Sequence, residues 1–169
     1  MFLILASILL LVIIAVQNYL YPPLRQETIS DGLFGPYHWW LDGAYVILAV
    51  ALCYTFAGWS EVLASVAAAS LMVTAVSNTF STWVDRVTGG LHVKIHSIFT
   101  IILFLSMLGL QAVENHGSQW IWTAVNLAAP AIVYLITSKD KSLNIAPLPA
   151  AEKMFVLFLC VWLIGWSLQ

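Results

Sequence analysis

From Phe2 to Leu20 the chain carries no charged residue, and the same apolar texture returns five more times before Ser167. A run of that kind is what crosses a lipid bilayer, because a spanning helix needs about 20 mostly apolar residues. With 62% apolar and 8% charged residues, against about a quarter charged in an ordinary soluble domain, little polar surface is left to wrap a water-soluble core. The expectation is an all-α, polytopic transmembrane bundle forming one domain over residues 1–169. It has room for six or seven spans and none for a soluble domain.

The apolar segments run over residues 2–20, 39–57, 60–80, 91–112, 119–137 and 153–167, each bounded by Pro, Gly or polar residues. The first has no positive leading region and is longer than the apolar part of a signal peptide, so it reads as a retained helix. In the third, Ser60, Ala64 and Ala68 form one stripe and Ser65 and Ala69 the next. Small residues at four-residue spacing let helices in lipid approach closely, which predicts a helix packed at the centre of the bundle.

Orientation follows from the positive charges, which concentrate in cytoplasmic loops. Arg25, Arg86, Lys94, Lys139, Lys141 and Lys153 all fall in or beside the first, third and fifth loops. Six spans with both termini non-cytoplasmic put all of them on one face. Trp39, Trp40 and Trp83 then lie at the cytoplasmic ends, and Trp59, Trp120, Trp122 and Trp166 at the opposite ends, where the headgroup level favours Trp. The six scattered positive charges form no patch able to track a phosphate backbone, so nucleic acid is excluded as a main partner. Cys53 and Cys160 have no CxxC partner and read as small buried hydrophobes.

Ionisable groups at membrane depth are costly and are functional candidates by default. Ser30, Asp31, His38, Asp42, Asp85, His92 and His96 all fall near the cytoplasmic ends of helices two to four. His92 and His96 are four residues apart, so one helix face carries both. His38 and Asp42 repeat that offset, and three histidines would leave an open position for water on a zinc ion. Asp42, Asp31 or Asp85 would then act as base or orient a ligand. The plainer reading makes Ser30, Asp31, His38 and Asp42 a structural or ligand-binding polar cluster, with Ser60, Ala64 and Ala68 serving helix packing. Glu61, Glu114 and His116 read as solvated residues at helix ends or in a loop on the other side. Haem between His38 and His92 or His96 lacks a second, deeper histidine pair, and the inverted repeats or broken helices of a transporter are not seen.

The stretch Thr28-Ile29-Ser30-Asp31, followed by Phe34 to Leu41, resembles the signature region of a six-helix prokaryotic membrane family catalogued as domain of unknown function 998. Phe80, Asp85, Gly90, Leu91 and His92 match its second stretch. His38 stands where that family usually has glycine, and the segment before His92 lacks the usual proline-rich form. The resemblance implies six spans and brings no activity with it. A looser likeness links Ser30, His38, Asp42, His92 and His96 to the alkaline ceramidases and adiponectin-type receptors, zinc hydrolases whose HxxxH pair sits on the last of seven helices; here it sits on the fourth of six.

Two functions follow. The leading one is a non-enzymatic membrane protein without a cofactor, either an accessory subunit of a larger membrane complex or a lipid binder, in a prokaryotic plasma membrane. The alternative is a zinc-dependent hydrolase of a lipid amide or ester at the cytoplasmic interface, using His38, His92 and His96.

Overall fold

The computed structural model describes residues 1–20, 29, 38–79, 91–114, 120–139 and 146–169, with all of their side chains except those of 76–79 and 91–94. Among these residues there are six α-helices and no strand: α1 (Phe2–Leu20), α2 (His38–Thr55), α3 (Trp59–Thr79), α4 (Leu91–Glu114), α5 (Trp120–Lys139) and α6 (Pro147–Ser167). The first five keep to the expected segments within two or three residues. The sixth begins at Pro147, well before the expected Lys153. Proline at a first helical position loses no hydrogen bond and has its φ already set, and extended Ala146 leads into it. The charged pair Glu152 and Lys153 had marked a loop in the sequence. Both side chains have partners in the bundle, so neither ends the helix.

The helices α1, α5 and α6, with Ile95–Glu114 of α4, are long and apolar enough to cross a membrane. In α3 the apolar part is shorter, Trp59–Ala75. The weaker apolar character of α2 and α3 has a physical basis in their position. They bury Leu41, Ala44, Tyr45, Leu48, Ala49, Ala51 and Leu52, and Ser60, Ala64, Ala67, Ala68, Ser70, Leu71, Thr74 and Ala75, so much of their surface meets protein. The stripe Ser60, Ala64 and Ala68 is buried, whereas Ser65 and Ala69 face outward. Gly109 of α4 comes close to α3, where a Cβ would sit 3.5 Å from a Leu63 methyl.

In sequence order, α1 packs on α2, α2 on α3 and α3 on α4, while α6 packs on both α5 and α1; α4 and α5 touch only lightly. Side-chain contacts fix the directions. Phe56 packs on Trp166 with ring centroids 4.5 Å apart, Phe104 packs on Phe155 at 4.7 Å and Trp166 Nε1 donates to Glu114 at 3.0 Å, so α2, α4 and α6 run the same way. Lys153 Nζ donates to Asn18 Oδ1 at 3.1 Å, joining the start of α6 to the end of α1. Ser60 donates to Glu114, joining the start of α3 to the end of α4. The bundle therefore has a Lys153 end and a Glu114 end.

The distribution of polarity is that of a chain in an apolar solvent. Helix α5 buries only Asn126 and Thr137, while Ile121, Leu127, Ile132, Tyr134, Leu135 and Ile136 are exposed. Water would favour the reverse; lipid favours this, because an unsatisfied polar group is costly there and an apolar one is not. Hydroxyls follow the same rule by bonding to their own helix. Ser70, Thr100, Ser106 and Thr137 donate to the carbonyls four residues back, at 2.6 to 2.9 Å. Cys160 is buried as expected, but Cys53 is exposed on the outer face of α2. In a lipid-facing helix both faces are apolar, so hydropathy around Cys53 carries no sign of which way it points.

Candidate functional site

The helix geometry of α2 puts His38 and Asp42 on one face, and their side chains meet: His38 Nδ1 and Asp42 Oδ2 are 3.0 Å apart. Ionised Asp42 can only accept, so Nδ1–H donates. The other carboxylate oxygen, Asp42 Oδ1, is buried without a hydrogen-bond partner among the described residues. Trp39 and Trp40 pack edge to face beside them, 5.2 Å between centroids, and Trp39 is exposed, as an interfacial anchor should be.

His96 is buried in α4. Of the other members of the expected cluster, Ser30, Asp31 and Asp85 lie outside the described residues, as does the side chain of His92. His116 also falls outside them. Among the described residues no group of three His, Cys, Asp or Glu side chains could hold a metal ion.

Two residues that sequence reasoning passed over stand at the centre of this end. Glu152 of α6 accepts the backbone N–H of Ile29 at 3.1 Å, and Ile29 is itself buried. Tyr45 of α2, also buried, lines with Glu152 a cavity enclosed by α1, α2, α3, α4 and α6. The signal for Glu152 was present in the sequence, a carboxylate within one turn or so of an apolar run, but starting the helix at Lys153 left it outside.

The cavity surface is almost wholly apolar, and its few polar groups lie at one end. Glu152, Tyr45, Thr74 and Thr100 lie toward the Lys153 end, while Leu10, Leu48, Leu103, Phe104, Met107 and Leu159 line the deeper part. On α6 the lining extends from Glu152 to Cys160, a length of about 12 Å at 1.5 Å per residue. Its volume is about 40 Å³, well below the roughly 150 Å³ of a cavity that takes a benzene ring. That is room for a few water molecules or for the end of one unbranched hydrocarbon chain. The deep lining decides between them, because it offers water nothing to bond and a chain full apolar contact.

At the opposite end Glu114 is not a loop residue but the last residue of α4. It accepts from Ser60 Oγ and, at 3.0 Å, from Trp166 Nε1, tying α3, α4 and α6 together. Glu61, by contrast, is exposed in the first turn of α3, as expected.

Compared with family models, with curated proteins and with solved structures, the chain finds no match in any of the three.

Proposed function

We propose that this chain is a six-span integral membrane protein of a prokaryotic plasma membrane, with both termini non-cytoplasmic, that binds a single-chain lipid without chemically converting it. The observation that carries the reading is the narrow, largely apolar cavity, with Glu152 and Tyr45 toward the Lys153 end and leucines below. A hydrocarbon chain would displace no bonded water from the deep part, and a polar head would meet the carboxylate and hydroxyls near the Lys153 end. Membership of the family catalogued as domain of unknown function 998 is part of the same proposal, resting on the stretches around Ser30 and His92.

The accessory-subunit reading shares the membrane placement and puts a partner helix where lipid would otherwise lie. The hydrolase reading is favoured by one contact. In many metal sites the histidine that binds the ion donates its other N–H to a carboxylate, and His38 donates Nδ1–H to Asp42. In that reading His38, His92 and His96 would hold zinc.

One preparation tests all three. The protein is extracted directly into native nanodiscs, and its copurifying lipids, proteins and metals are quantified beside a Val156→Phe variant, in which a ring fills the cavity. The expected result is one single-chain species enriched over the bulk membrane, reduced at least severalfold in the variant. Lipid of bulk composition, unchanged by Val156→Phe, would overturn the proposal. A stoichiometric subunit would promote the accessory reading, and near one zinc per chain, lost in His92→Ala, the hydrolase.

A further inference from the structure

A second polar site lies toward the Glu114 end, away from the polar mouth of the cavity and independent of the lipid-binding reading. Three atoms define it. Gln111 Nε2, Asn126 Oδ1 and Trp162 Nε1 are buried and have no hydrogen-bond partner among the described residues. Their residues are 0%, 1% and 1% exposed. A buried polar atom left unpaired costs roughly 1–3 kcal/mol, and three in one bilayer leaflet call for an explanation.

Helix register brings the three together. On parallel α4 and α6, Phe104 meets Phe155 and Glu114 meets Trp166. Gln111 follows Phe104 by seven residues, and Trp162 follows Phe155 by seven, which returns each to the same helix face two turns on. The two contacts therefore bracket Gln111 and Trp162 and set them opposite each other. From the third helix, Asn126 Nδ2 donates to Gln111 Oε1 at 3.0 Å. The site falls where α4 and α5 touch only lightly, and Asn126 is the buried residue of α5 at this level.

The unmet groups are two donors, the Gln111 amide and the Trp162 indole, and one acceptor, Asn126 Oδ1. We propose that one ordered water molecule sits between α4, α5 and α6, accepting from Gln111 Nε2 and Trp162 Nε1 and donating to Asn126 Oδ1. Three bonds is the usual complement of a buried water. A cation is a poor occupant, since two of the three groups are donors, and an anion would meet the Asn126 oxygen. The water bridges a lightly packed seam of the bundle and gives α5 a polar attachment that its apolar surface cannot.

The test uses the full chain in lipid nanodiscs with ¹⁵N-labelled tryptophan. The Trp162 indole resonance is assigned by its loss in Trp162→Phe, and its rotating-frame cross-peak to water is recorded. A cross-peak of dipolar sign is expected, and it should vanish in Asn126→Leu, which removes the acceptor. Where that variant does not fold, Gln111→Met removes another of the three bonds and serves the same purpose. No dipolar cross-peak in the unaltered protein overturns the proposal and puts the indole N–H directly on an amide oxygen.

Discussion

Glu114 closes the end of α4 by accepting from Ser60 and Trp166, and the two donors make unequal demands on it. Replacing Glu114 by Leu leaves two donors with nothing to meet, at a cost of about 1–3 kcal/mol for each buried one. Replacing Trp166 by Phe removes one donor and keeps an aromatic ring against Phe56, and side-chain hydrogen bonds in membranes average only about 0.6 kcal/mol. The expected order of stability is unaltered protein, Trp166→Phe, then Glu114→Leu by a clear margin. Denaturation by SDS titration from mixed micelles reads that order, and equal losses would count against a clasp. The same residue marks a limit of legibility. A charge at the end of an apolar run is visible in the sequence, but its partners are not, so Glu114 read as solvated. Cys53 and Cys160 sit in equally apolar surroundings and end up on opposite sides of their helices. His38 and Asp42 were legible because their partnership is local, four residues apart on one helix. Glu152 carried a signal as a carboxylate beside an apolar run, but its pairing with Tyr45 did not, because the two belong to one cavity only through the packing of α2 against the rest of the bundle.

Elements were more legible than residues, because the bilayer sets their length and the apolar runs announce it. Misplacement occurred where polarity and structure part company, at the start of α6, whose Glu152 and Lys153 are polar yet helical. Turns are harder, since their requirements lie in backbone angles. Gly58, between α2 and α3, has φ +63°, a conformation that costs a side-chain-bearing residue about 1–2 kcal/mol, with Asn better tolerated. A Cβ there would meet nothing within 4 Å, so the penalty is conformational and not steric. Gly58→Ala is therefore expected to lower the thermal midpoint in detergent, and Gly58→Asn to lower it less. Should the bulkier Asn be the worse of the two, crowding and not backbone angle would govern the turn.

The direction of the whole bundle rests on charge and its alternation on contacts, and one labelling experiment separates them. Cys53 is exposed near the end of α2, at the Glu114 end, where the positive-inside bias predicts the non-cytoplasmic side. Ser138, exposed in the last turn of α5, lies at the Lys153 end with Lys139 and Lys153. Maleimides need a thiolate that water can reach, and both positions are near the interface. A chain with Cys160→Ser keeps Cys53 as the single thiol; one with Cys53→Ser, Cys160→Ser and Ser138→Cys places it at the other end. On intact cells a membrane-impermeant maleimide should label the first, and label the second only after permeabilisation. The reversed pattern would keep the up-and-down bundle and invert it, showing that six positive charges did not decide its insertion. Labelling of both only after permeabilisation would break the alternation itself. In that case α2 and α3, the two helices outside the set long and apolar enough to span a membrane, would be the ones that fail to cross, and the cavity between α1, α4 and α6 would open to water instead of lipid.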